Sequence, residues 1–506
     1  MHRGSEPRLI MIDVHSRCGC GRLDMRVLEN LEPKKVFYYF EDICNIPHGS
    51  GNLDGISSYL SGFAADRGLF RIRDASNNVI IVKEASAGYE EAAPIILQGH
   101  MDMVAVKKNG CDIDLERDPL RLKVDGDFVC AEGTSLGGDD GIAVAYILAL
   151  LDSDDIAHPR IEAVITTDEE TGMEGATAID LSMLKAKRML NIDSEEEGIL
   201  LTSCAGGMRT DCHIPVRMEE EPTGVYMEVT VGGLLGGHSG TEINKEHANA
   251  IKLLGMTLKQ AQKAVPFRLS EIGGGEKDNA IPREARALVC VAEGEKDLLI
   301  RQIERIESEE KKENQSKEKN LFIRVAEAEG EGQSVFDADS TERVLTFLTL
   351  LPNGVMAMSA DIAGLVETSL NVGVLGTRGG EVIASTAIRS AVGTAKHKIN
   401  LQVDTLTKLL GGYTETHGEY PGWQYDPDSK LRADMVRIYR EMFGREVQVE
   451  ALHAGLECGI MISKIPGLDC VSFGPDIHDI HTTEERLSIP SAARMWDYLL
   501  EILKQK

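Results

Sequence analysis

Four apolar runs in the first two hundred residues abut acids or a histidine at one end. Ile95-Ile96-Leu97 leads into Gln98-Gly99-His100-Met101-Asp102, and Ile161–Thr166 runs into Asp168-Glu169-Glu170. Residues 189–192 deliver Asp193, and the run 141–151 starts directly after Gly137-Gly138-Asp139-Asp140. Apolar runs belong in an interior, where adjacent ionised carboxylates repel one another unless a cation offsets them. Separate solvated turns would need no such repeated placement. The pattern therefore constrains the chain to a fold that gathers the ends of several buried elements around shared positive charge.

The periods of these runs set the fold class. Between residues 28 and 69, Val36, Phe37, Phe40, Ile43 and Cys44 fall on one helical stripe and Ile56, Leu60 and Phe63 on another. β-type runs at 79–82, 94–97, 161–166 and 189–192 alternate with helical stretches, which predicts an α/β domain. The segment GIAVAYILALL at 141–151 is apolar nearly all round and belongs inside, against the sheet. After Gly206-Gly207 the pattern changes to strand-like 225–231, helical 248–264, strand-like 285–292 and a helix around Leu298, Ile303 and Ile306, an α+β unit. A second strand and helix set from 321 to 408 predicts that this unit is doubled. The mixed-charge run 307–320 reads as a solvated helix end and loop.

Composition narrows the partners. At 506 residues the chain exceeds what a single core serves, so at least two domains are expected. A formal net charge of −28 is repelled by nucleic acid and by anionic membranes, which leaves small substrates or proteins, although it also fits plain solubility. No apolar run approaches the ~18 residues that span a bilayer. Ten scattered cysteines make no disulfide framework and predict reduced thiols in the cytoplasm; Cys18 and Cys20 lack a second pair at zinc-finger spacing. Residues 1–24 carry four arginines and only a short Leu9-Ile10-Met11-Ile12 run, and are expected to be a disordered N-terminal extension rather than a signal peptide.

Each motif alone has a plain structural reading: a surface pair for His100 and Asp102, helix N-capping for Asp139 and Asp140, a solvated turn for Asp168-Glu169-Glu170. Together they supply a zinc-type donor set. A carboxylate near the far nitrogen of a ligating imidazole fixes its tautomer, which suits Asp102 beside His100. At a strand end neighbouring side chains diverge, so Glu170 can ligate while Glu169 faces the substrate as a base. A late strand and turn at 468–475 precedes His478 and His481, one of which completes the set.

The quoted motifs resemble the M20 family of metallopeptidases, and within it the aminoacyl-histidine dipeptidase (peptidase D, Xaa-His dipeptidase) branch. The likeness runs from Met25 to Lys506. It includes Gln-Gly-His100-Met-Asp102, Gly-Thr-Ser-Leu-Gly-Gly-Asp139-Asp-Gly, Thr-Asp-Glu169-Glu170-Thr-Gly-Met-Glu-Gly, Asn-Ile-Asp193-Ser-Glu, Gly-Gly-His238-Ser-Gly, Asn279-Ala-Ile-Pro-Arg283 and His453-Ala-Gly-Leu-Glu-Cys-Gly. The resemblance implies two zinc ions per subunit, replaceable by Mn2+ or Co2+, held by His100, Asp139, Glu170, Asp193 and His481. Asp139 bridges them, and the division of the other ligands is left open. It implies a zinc-peptidase catalytic domain with a mixed sheet flanked by helices, residues 25–206 and 421–506, and an inserted α+β lid, 207–420. Glu169 and Asp102 are then catalytic, and His238, Asn279, Arg389 and Gly455 bind a small peptide. Gly-rich stretches such as Gly273-Gly274-Gly275 are loops.

Three departures from the family pattern stand out: Gly138 in place of Ala, Ala105-Val106 after the first motif, and no Pro before His481, with His478 added nearby. The implied reaction is hydrolysis of dipeptides of the Xaa-His type through a metal-bridged water, with Glu169 as general base, and the lid offers a surface for a homodimer. Two alternatives are an M20-type N-acyl amino acid amidohydrolase and a non-catalytic binding protein of the same fold.

Overall fold

Alternate residues of a strand face opposite sides of its sheet, and here both sides are apolar. The computed structural model describes residues 26–220, 223–329 and 334–506, so the expectation for residues 1–24 lies outside the described residues. Val79, Ile81, Ile95, Leu97, Ile161, Ala163 and Ile165 face one buried core, and Ile80, Val82, Ile96, Val164 and Met189 face another. A sheet covered on both faces is the arrangement expected of parallel α/β packing. Its eight strands lie in the order Phe70–Arg73, Val79–Lys83, Ile161–Thr166, Ile95–His100, Arg188–Asn191, Asp469–Ser472, Ile199–Cys204, Gln448–Leu452. The centre is parallel and the Phe70 side antiparallel, so the sheet is mixed, as the sequence predicts.

The helix Gly138–Leu151 is buried at every position, as its sequence dictates, though Asp139 and Asp140 at its start are not helical in backbone angle. Its position puts two carboxylates at the edge of the core. The three central parallel strands bring three further donors to one edge of the sheet, and His481 reaches it from the loop after Ile477–His478. His100 ends its strand, Glu169 and Glu170 lie just beyond Thr166, and Asp193 lies just beyond Asn191. The carboxyl ends of such strands are where open α/β sheets carry their sites.

Residues 206–420 build a second sheet around a separate core. The strand order is Phe322–Glu327, Val225–Gly232, Ala285–Val291, Phe267–Gly274, Val366–Arg378, Glu381–Ser390, Gly206–Pro215, Tyr413–Tyr420, with Gly354–Met358 paired to Val366–Arg378. From either edge the chain order repeats, so the two halves are related by a two-fold about the seam between Phe267–Gly274 and Val366–Arg378. Gly274 pairs with Leu375 there, and Thr377 Oγ1 accepts from Ile272 N–H at 3.0 Å and donates to Ile272 O at 2.9 Å. The halves differ from the sequence reading in one respect. Phe322–Glu327 closes the first half, whereas the second half borrows Gly206–Pro215 from upstream, a pairing that contiguous pattern reading does not see.

Two glycine positions matter for the architecture. Strand Phe267–Gly274 runs through Gly273 and Gly274, contrary to the loop expected there; only Gly275, at φ +72°, turns, and a Cβ on it would lie 1.9 Å from Gly373 O. At the crossing between the two sheets a Cβ on Gly206 would lie 2.4 Å from Gly422 N. Two chain segments thus pass in contact at the junction.

Candidate active site

The Asp139 carboxylate lies between two sets of donor atoms. Its Oδ1 lies 3.3 Å from His100 Nε2, which is also 3.5 Å from Asp193 Oδ1. Its Oδ2 lies 3.1 Å from His481 Nε2, which is also 2.9 Å from Glu170 Oε1. The donor atoms form two groups, His100–Asp139–Asp193 and Asp139–Glu170–His481, each within 4.8 Å. Glu170 Oε1 is buried and makes no hydrogen bond although His481 Nε2 is close, so the two atoms face a common point without donor alignment. Three carboxylates and two imidazoles converging in this way fit a pair of divalent cations. His478 is exposed and turns instead to the Phe128 ring, 5.7 Å away.

Asp102 organises the donor groups from behind. Its carboxylate accepts from Ser50 Oγ at 2.9 Å and from the N–H groups of Glu169 at 3.1 Å and Glu170 at 3.3 Å. The nearest acceptor to His100 Nδ1 is the Asp102 carbonyl at 3.0 Å, with the carboxylate at 3.5 Å, so the main chain does the tautomer fixing that the sequence assigns to the side chain. Nδ1–H donates there, which leaves the Nε2 lone pair for a cation. Asp140 accepts from His100 N–H at 3.1 Å. Neither Asp139 nor Asp140 caps its helix.

Backbone conformation marks the same place. Asp168, Met173, Asp479 and His481 are four of six non-glycine residues with positive φ among the described residues, and all flank the donor groups. Left-handed backbone at non-glycine residues costs energy and concentrates at functional sites.

Burial and mutual charge shift several groups of this cluster. Burial raises the Glu169 carboxyl, with Asp193, Glu457 and Glu170 adding to it against His100. Burial likewise raises Asp140, and Glu457 to about 7. The adjoining carboxylates of Asp139, which is hydrogen-bonded, and Glu170 push His481 up to about 10 against its burial, while burial opposes charging of His100 but its carboxylate neighbours prevail and raise it. The folded value of His481 exceeds its unfolded value near 6.5, so its stabilisation is complete below about 6.5 and fades as pH climbs toward 10. Raised Glu169 acts in the same direction, since its proton is retained in the fold above the ordinary carboxyl range. Without cations the melting temperature is therefore expected to fall between pH 6 and pH 9, and zinc to offset that fall. Calorimetric scans with and without chelator check this; a metal-free midpoint that rises with pH would contradict it.

Lid residues meet at the seam of the second sheet. His238 sits on a two-residue strand paired with Ala280–Ile281, and Ser239 N–H donates to Asn279 O at 2.9 Å. Asn371 clamps both sides of Asn279, donating to Asp278 O at 2.9 Å and Ala280 O at 2.8 Å. His238 Nδ1 accepts from Gly240 N–H at 3.2 Å and Thr241 N–H at 3.1 Å, which puts the ring proton on Nε2. Arg389 donates to Tyr420 Oη at 3.1 Å, its Nε is buried without a partner, and burial, with the Arg389 charge adding to it, lowers His238 and His453. A Cβ on Gly455 would lie 2.9 Å from the Tyr420 ring and 3.2 Å from Met173 Cε, so this wall links Arg389 to the segment that follows Glu170.

Sequence reasoning missed Ser50, Tyr420, His453 and Glu457. Glu457 is fully buried and accepts from Gln98 Nε2 at 2.5 Å and Thr166 Oγ1 at 2.7 Å. It lies in the His453–Gly459 motif, so its signal was present but drew no role.

The model of peptidase family M20/M25/M40 matches residues 96–505. The chain belongs to this family. It is 37% identical over 482 residues to the cytosol non-specific dipeptidase of Escherichia coli (strain K12), covering 95% of this chain and 99% of that one. Aminoacylhistidine dipeptidase from Vibrio alginolyticus superposes with a TM-score of 0.90 at 36% identity, over 95% of this chain and 98% of that one. A tripeptidase from Staphylococcus aureus, at 16% identity and TM-score 0.53 over 94% and 98% of the two chains, shares the fold. This M20 chain thus carries its two donor groups on the scaffold of its family.

Proposed function

We propose that this M20 chain is a cytoplasmic dipeptidase with a two-zinc centre, acting on dipeptides that include the Xaa-His type. The observation that carries the reading is the division of the Asp139 carboxylate between His100–Asp193 and Glu170–His481. The names of the two relatives, at 37% and 36% identity over nearly the whole chain, support the substrate class and the compartment. Residues 25–206 and 421–506 form the catalytic domain in this reading, and 207–420 the lid.

Two divalent cations supply Lewis acidity and lower the pKa of water. The chain does the rest. Glu169 takes a proton from the attacking water and hands it to the leaving amine, and its carboxylate accepts no hydrogen bond among the described residues, so it is free to do so. His238, with its proton on Nε2, donates to the oxygen that becomes negative in the tetrahedral species. Arg389, with Nε unpaired, clamps the free carboxylate of the dipeptide. Asn279 is held rigidly beside His238 and Gly455 keeps the opposite wall thin.

A purified-protein screen with zinc, manganese and cobalt tests the reading. Free dipeptides should be cleaved and N-acetyl amino acids left intact; the reverse preference would replace it with an acylamino-acid hydrolase. Arg389→Ala should raise KM for dipeptides about 10- to 100-fold, the worth of a charge-assisted hydrogen bond, with a smaller change in kcat. C-terminally amidated dipeptides should be poor substrates of the unaltered enzyme and insensitive to that substitution.

A further inference from the structure

Four consecutive backbone N–H groups at the turn that carries Asp139 point at a single carboxylate. Glu485 Oε2 accepts from Leu136 at 2.7 Å and Gly137 at 3.0 Å, and Oε1 accepts from Gly138 at 2.8 Å and Asp139 at 3.3 Å. Glu485 is 4% exposed, so these are interior bonds that water cannot replace. It reaches the turn from far along the chain, four residues beyond His481.

A helix end needs one acceptor for one or two of its donors. A carboxylate spread over four successive donors does more, because it fixes the orientation of the whole turn. One end of this clasp is the peptide N–H of the shared carboxylate residue itself, and the other is the loop that holds His481 in its left-handed conformation, at φ 61°. Asp139 and His481 then meet at 3.1 Å across 342 residues of sequence. His100 and Asp193, by contrast, are set by adjacent parallel strands and depend on Glu485 only through Asp139.

We propose that Glu485 is a positioning residue of the metal centre, setting the separation of Asp139 and His481 and so the affinity of the Asp139–Glu170–His481 group for its cation. The inference rests on the reading of the cluster as a two-cation site. Glutamine at 485 would keep the shape but turn an NH2 group toward two N–H donors, so the turn would shift.

The test is zinc titration of chelator-stripped full-length protein by calorimetry, with zinc alone as the probe and circular dichroism as the check on folding. The unaltered chain should take two zinc ions. Glu485→Gln should keep one within about threefold of its normal affinity and bind the other about 10- to 100-fold more weakly, the usual effect of losing a partner behind a ligand. If that variant fails to fold, Glu485→Asp, which keeps the charge and reaches one pair of donors, should weaken the same cation about tenfold. Two ions at normal affinity in a folded variant, or equal weakening of both, would overturn the assignment. Fewer than two ions in the unaltered chain would instead remove the two-cation reading beneath it.

Discussion

Glu169→Gln is expected to bind two cations as tightly as the unaltered chain and to turn over dipeptides about a thousandfold more slowly, at nearly unchanged KM. The scale is that of a lost general base. Glu169 belongs to neither donor group, so its removal takes no ligand away. Glutamine fills the same volume, and the backbone N–H that anchors this turn to Asp102 is unaffected. What goes is the acceptor. Burial pushes the Glu169 carboxyl upward, and cations held by the neighbouring donor groups would oppose that shift and favour the ionised base. Steady-state kinetics beside metal analysis decides the matter. Normal turnover in the variant would take the proton-transfer role from Glu169, and loss of a cation would make it a ligand.

Asp139→Ala should cost more, abolishing measurable turnover and weakening both cations together. Asp139 is the one residue common to the two groups, so each keeps only two of its three protein donors. Asp193→Ala and His481→Ala, each a member of one group, should weaken only one cation. Zinc content after gel filtration separates these patterns: a folded Asp139→Ala protein with one full-strength cation would end the bridging assignment. Circular dichroism beside the zinc analysis checks the fold, since the substitution also takes a carboxylate partner from His100 and from His481.

Much of this was readable because chemistry and burial left the same trace. Strand runs that end in acids announced both the central parallel strands and the donors at their ends, and GIAVAYILALL announced a wholly buried helix. Position after Gly474-Pro475 favoured His481 over His478, while the contacts that turn His478 to Phe128 and bring His481 to Asp139 leave no mark in spacing. Glu485 was equally hidden. Its partners are backbone groups, which have no sequence identity, and an acidic pair after Thr482-Thr483 reads like any solvated loop. The borrowed strand Gly206–Pro215 escaped for a similar reason, because antiparallel pairing joins segments about 170 residues apart without leaving a local period.

The two-fold relation inside residues 206–420 bears on how this molecule behaves on dilution. Were those halves contributed by different chains, each site would be assembled by association, and activity per chain would drop as concentration fell. Here a covalent link replaces the association constant, so His238 and Asn279 from one half and Arg389 from the other stay together at any concentration. The halves are also free to diverge, since a substitution in one is not copied into the other. Among the described residues only the first half carries the ribbon that holds His238, so one ribbon serves the single cluster of donor groups.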